Sequence, residues 1–302
     1  MSLNALHRAM RIISADLEKA IRAVLLEYGV PTGTATLYEL VELIYPLIKR
    51  ARVQVYAEQC ILMGEEIAKH NLQVKPAPLR DYGAGATFKA LAKVLDIDAS
   101  KRSHLPVSML DDKSITEAGE KVLVDESTRL DPEVVDAALS KIMEAAERHA
   151  FDAGRQAVAD TAAGGKVRPD PKTRPSRSDY RAAEGVELGW ARVLTGAENC
   201  PWCAMLASRG PVYSKDTVLT ASGKHEGRTF HANCDCKAVL AVKGKKWDGE
   251  AEYKRLKALW DSASEDPTME EAEQGLERPI DRFSKRWRDT EDKSWFSPLE
   301  AE

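Results

Sequence analysis

Two short clusters, Cys200-Pro201-Trp202-Cys203 and His231-Ala232-Asn233-Cys234-Asp235-Cys236, hold four of the five cysteines in this chain, with a histidine beside the second. A Cys-x-x-Cys turn lets two thiolates converge on one cation, and a second pair from a later turn completes the tetrahedron that zinc favours. Cys200, Cys203, His231, Cys234 and Cys236 are therefore candidate ligands of a structural zinc site, more donors than the four places require. His231 and Cys234 repeat the offset of Cys200 and Cys203. Cys234 and Cys236 would face opposite ways on a regular strand, so Cys236 can join the same ion only through a tight, irregular turn. The span from 204 to 230 exceeds the usual interval of a zinc finger, so the metal would clip a sizeable loop. Two other readings compete: reduced cysteines, some simply buried, and disulfides, which would leave Cys60 unpaired.

Short elements must position these donors. Val186, Leu188, Trp190 and Val193 suggest a strand leading into the first cluster, with Trp190 packed over the metal. Ala204-Met205-Leu206-Ala207 reads as a short helix ended by Gly210-Pro211, Lys215 to Arg228 as a polar loop, and Val239 to Val242 as a closing strand. A module spanning 184–245 is too small for a large hydrophobic core, so metal is expected to supply much of its stability.

Trp190-Ala191-Arg192-Val193, the run from Cys200 to Tyr213 and Phe230-His231-Ala232-Asn233-Cys234-Asp235-Cys236 resemble the minor head proteins related to protein F of phage Mu, in the version carried by actinobacterial phages. The resemblance covers residues 186 to 243. It differs from the common form at Asp235, where an arginine often stands between the cysteines. It implies a minor capsid or head-morphogenesis protein of a tailed bacteriophage, acting at the portal or inside the procapsid. The implied partners are the portal, major capsid or scaffold protein. The implied location is the virion, with the host cytoplasm during assembly. Members of this kind are also labelled capsid maturation proteases.

The residues offer a protease little. No Gly-x-Ser-x-Gly signature is present. Cys200 or Cys234 could pair with His231 or His225 as a thiol–imidazole couple, but thiolates closed around zinc are quenched as nucleophiles. Glu226 or Asp235 could serve an open zinc site as base, yet neither lies in a His-Glu-x-x-His helix. An enzyme is the lesser expectation.

The rest of the chain reads as mainly α. With 43% hydrophobic, 6% aromatic and 30% charged residues, the composition suits long amphipathic helices better than one large core. A formal net charge of −4 argues against a general nucleic-acid coat. No apolar run is long enough for a membrane span, and Met1 to Arg8 lacks a signal core, so a soluble intracellular protein is expected. The spacing predicts a helix over 5–28 stopped by Gly29, and a second from a capping box at Thr36 towards His70, kinked at Pro46. Leu72 to Gly85 is expected to be a loop, Thr87 to Leu95 a short helix, and 113–127 weakly helical. A long helix should start at Pro132, carry Val135, Leu139, Ile142 and Ala146 on one face, and end at Gly164-Gly165. His149 and Asp152 share a face of that helix without a third ligand, so a solvated histidine is expected.

The expected organisation is a helical region 1–163, a basic Pro-rich linker 164–183, the zinc-stabilised α+β module 184–245 and an amphipathic helical tail 246–302. The linker sets Lys166, Arg168, Lys172, Arg174, Arg177 and Arg181 against Asp170 and Asp179. It should be extended or flexible, either a solvated linker or a basic tether that makes a weak DNA contact through 166–181 or touches an acidic patch on a partner protein. In the tail, Trp287, Trp295 and Phe296 among charges suggest docking contacts or a fold back onto the helices.

Overall fold

The computed structural model describes residues 2–98, 132–195, 199–212 and 236–290. It is mainly helical, with two small antiparallel sheets. No described helix is long and apolar enough to cross a membrane. The expected helix over 113–127 lies outside the described residues, as do Trp295 and Phe296.

Helix α1 (Leu3–Tyr28) forms because Leu3, Leu6, Met10, Ile13, Leu17, Ile21 and Leu25 recur every three to four residues, and all are buried. It begins before residue 5 because the Ser2 hydroxyl accepts the Ala5 amide at 3.2 Å. Gly29, at φ 83°, closes it. Helix α2 (Thr34–Ala68) starts two residues ahead of Thr36 and runs through Pro46. The Thr36 hydroxyl turns back onto the preceding loop, accepting from the amides of Thr32 and Gly33. Strand β1 (Leu72–Val74), helix α3 (Ala84–Val94) and helix α4 (Pro132–Gly164) follow. In α4, Val135, Leu139, Ile142 and Ala146 are buried, as their spacing requires.

The chain divides into two compact units, and α1, α2 and α4 each contribute residues to both. One gathers Ala9–Ala57 and Leu79–Ala153. Its apolar residues come from all four of α1 to α4, and Tyr38 stacks on Phe88 with ring centroids 4.2 Å apart. A buried polar node sits among them. The Arg52 guanidinium donates to the His149 carbonyl at 2.6 Å and lies 4.4 Å over the Tyr82 ring, while the Tyr82 hydroxyl meets Thr87 Oγ1 at 2.8 Å. The His149 ring is tilted against Tyr82 at 5.3 Å, and burial pulls its pKa down to about 4. His149 is thus a packed, neutral residue and not a solvated one, because α4 turns it towards Tyr82.

The other unit gathers Met1–Arg8, Glu58–Pro78 and Gly154–Glu302. Here the segment expected to be extended or flexible is folded. Strand β2 (Val167–Pro169) pairs with β1, a 3-10 turn spans Pro171–Thr173, and helix α5 (Arg177–Glu184) follows. Local chemistry accounts for this: Asp170 accepts the Lys172 amide, and Ser176 with Asp179 forms a reciprocal capping box. Strands β3 (Leu188–Val193) and β4 (Lys237–Val242) pair from Leu188↔Val242 to Val193↔Lys237. Helix α6 (Pro201–Ala207) follows β3. The tail supplies α7 (Glu250–Ser264), α8 (Met269–Glu273) and α9 (Pro279–Asp289).

Candidate metal centre at the paired cysteines

Cys200 caps α6. Its extended backbone (φ −74°, ψ 151°) precedes Pro201, and its Sγ accepts the Cys203 amide at 3.2 Å. One turn of helix therefore turns both cysteines of the first cluster to the same side. Cys203 is buried within the unit. The second cluster arrives by a different route. Val193 pairs with Lys237, so the residue before β4, Cys236, falls opposite Leu194 at the end of β3. The result is a Cys203 Sγ to Cys236 Sγ distance of 3.8 Å.

The surroundings are both charged and apolar. Arg192 on β3 is 1% exposed, and its Nη1 lies 3.6 Å from Cys236 Sγ, within donating distance of sulfur. Glu252, in the first turn of α7, accepts the Leu194 amide at 3.1 Å. Burial pushes its carboxyl pKa up to about 8; the Leu194 amide works against that rise and Cys236 adds to it. Apolar cover comes from the tail: Leu256, Phe283 and Trp287 join Leu194, Cys203, Met205, Leu206 and Cys236 in one buried cluster. Trp287 Nε1 donates to the Asn199 carbonyl at 3.1 Å, next to Cys200. At the far end of α6, Gly210 at φ 65° leaves room for the Tyr253 ring, which any Cβ there would meet at 2.7 Å.

Of the five candidate ligands, Cys203 and Cys236 are thus brought into sulfur contact, and Cys200 packs against the same cluster. His231 and Cys234 lie outside the described residues, as do His225, Glu226 and Asp235. The thiol–imidazole couple of Cys200 with His231 likewise has only its thiol described. Among the described residues no group of three or more His, Cys, Asp or Glu is placed to hold a metal. The described sulfurs match one edge of a zinc tetrahedron. A tetrahedral site with Zn–S bonds of about 2.3 Å has an S···S edge of about 3.8 Å, the separation of Cys203 and Cys236.

Two expectations change. Trp190 is buried, but among the described residues the aromatics of the cluster around the cysteines are Trp260, Phe283 and Trp287, and Trp190 is not one of them. Nor does the module stand on its own small core, since α7 and α9 pack against α6. Motif spacing does not single out Arg192 or Glu252. Arg192 carries a signal, as a lone cation inside an otherwise apolar strand, whereas Glu252 reads as an ordinary solvated first-turn acid until α7 is docked.

The Gene 15 protein of Mycobacterium phage D29 is 31% identical over 156 residues, covering 44% of this chain and 51% of that protein. The Gene 15 protein of Mycobacterium phage L5 is 30% identical over 160 residues, covering 43% and 49%. The chain spans about half the length of the curated relatives it matches. No solved structure matches. The VG15 protein family matches over residues 2–263, which takes in α1 through most of α7 and every described cysteine, and the chain belongs to that family.

Proposed function

We propose that this chain is a minor capsid or head-morphogenesis protein of a tailed bacteriophage, acting at the portal or inside the procapsid, with its cysteine module held by one structural zinc. The phage assignment is supported by membership of the VG15 protein family and by similarity to the Gene 15 proteins of mycobacteriophages D29 and L5. The head role is supported by the Mu F-like resemblance over 186 to 243, which lies inside the family match.

The observation that carries the zinc reading is the buried thiol pair at 3.8 Å with Cys200 one helical turn away. Cys200, Cys203 and Cys236 would supply thiolates, and His231 or Cys234 the fourth ligand. Zinc bound there supplies a cross-link between the start of α6 and the start of β4, and no reacting group. Arg192 offsets part of the negative charge that thiolates bring into the interior.

Co-expression with the portal, major capsid and scaffold proteins of the same phage tests the role. The expected result is co-purification with portal or procapsid and no new cleavage product. Cleavage of a capsid or scaffold protein that Cys200→Ser or His231→Ala abolishes, with zinc retained, would replace this reading by a maturation protease.

A further inference from the structure

The exposed face of the β1–β2 ladder concentrates positive charge on a fixed backbone. Gln73 pairs with Arg168, and opposite residues of an antiparallel pair share a face. Both are exposed, while Val167 and Pro169 on the other face are buried. Carrying the register one residue further puts Lys75 opposite Lys166, on the same face as Arg168 by alternation. Like charges directly opposite are destabilising. Among the described residues neither lysine nor Arg168 forms an ion pair.

The nearby acids are committed elsewhere. Asp170 accepts from the Lys172 amide at 2.9 Å and from Gln73 Nε2 at 3.2 Å. Asp179 accepts the Ser176 amide at 2.7 Å. Asp160, on the last turns of α4, is the one carboxylate lining the groove of about 770 Å³ that Lys75, Lys166 and Arg168 also line. The groove's wall is stiff: Pro76 and Pro78 fix the chain beyond β1, and the Ala77 amide donates to Thr161 Oγ1 at 2.9 Å. The cations are therefore pre-positioned on folded backbone.

We propose that this face binds the phosphodiester backbone of double-stranded DNA, weakly and without sequence preference. Residues two apart on a strand are about 6.7 Å apart, near the through-space separation of neighbouring phosphates on one DNA strand, which exceeds their axial rise of about 3.4 Å because the strand winds around the axis. Lys166 and Arg168 can thus meet successive phosphates, with Lys75 beside them. A protein partner would need an apolar, desolvated centre, whereas the ladder positions on this face, Gln73, Lys75, Lys166 and Arg168, are all polar. The proposal is independent of the zinc module and of the head role.

The test uses the full chain and a short mixed-sequence duplex, with binding followed by fluorescence anisotropy across salt. The wild type should bind weakly and lose affinity steeply with salt. Lys75→Gln/Lys166→Gln/Arg168→Gln should reduce the slope of log K against log salt by about 2–3 units, near 0.9 for each phosphate no longer neutralised. Lys19→Gln/Lys89→Gln/Lys93→Gln, which removes the same charge from α1 and α3, should leave the slope unchanged. The ladder variant should melt no lower than wild type, because it relieves the Lys75–Lys166 repulsion; should it fail to fold, Arg168→Gln alone should lower the slope by about 1. A flat salt response, an equal fall in slope in both triple variants, or displacement of the duplex by polyglutamate at equal charge would overturn the proposal, the last in favour of an acidic protein.

Discussion

Cys203 Sγ and Cys236 Sγ, 33 residues apart in the chain, lie 3.8 Å from each other in a buried cluster completed by Phe283 and Trp287 of α9. Purified protein is accordingly expected to carry one equivalent of zinc by elemental analysis. Cys203→Ser or Cys236→Ser should release it and loosen α6, α7 and α9 together, read as reduced amide-exchange protection in 199–212 and 250–290. Metal-free protein with unchanged protection there would show that the cysteines are packing residues only.

Trp287 anchors the tail in two ways, by ring burial and by its hydrogen bond to the Asn199 carbonyl. Trp287→Ala should cost about 3–5 kcal/mol of unfolding free energy. Trp287→Phe, which keeps most of the apolar surface but has no donor, should cost about 1 kcal/mol. Urea titration of the two variants separates the contributions; equal costs would mean that the ring's packing is not what holds α9.

Arg282 is buried at the base of α9 and donates to the carbonyls of Ala263, Glu265, Leu276 and Glu277. Those groups lie at the end of α7 and in the stretch after α8, so one guanidinium satisfies the backbone of two chain segments. A lysine has neither the fork nor the donors to replace it, and Arg282→Lys should destabilise by about 2–4 kcal/mol. Thermal melts that place Arg282→Lys beside wild type would refute this.

His149 sets a pH dependence in the unit containing α3. Its pKa is about 4 when folded and 6.5 ordinarily, with desolvation the main cause, Asp152 opposing, and Arg148 and Arg52 adding. Between these values the unfolded chain holds more protons, so stability falls as pH drops from about 6.5 towards 4. The loss attributable to this residue should be about 2–3 kcal/mol, and His149→Gln should flatten the curve in that window. Parallel wild-type and variant curves would show that the imidazole stays solvated.

The sequence by itself determined most of the helices, because a buried face recurring every three to four residues leaves its period in the chain: Leu6 to Leu25 in α1 and Val135 to Ala146 in α4 are legible without coordinates. It also determined the cysteine clusters, whose chemistry lies in residue type and spacing. The strands β1 and β2 have three residues each and pair across residues 72 to 169, too short to carry a period and too far apart for local propensity to reveal. That pairing, with the caps at Asp170 and Ser176, made the basic segment a structured face, and its register continued by one residue sets Lys75 opposite Lys166. Likewise the closeness of Cys236 to Cys203, the burial of Arg192 and Glu252 near it, and the cover of Trp287 depend on the β3–β4 register and on the docking of α7 and α9. These are long-range contacts whose free energy comes from surfaces buried against each other, and only the tertiary structure decides which surfaces meet.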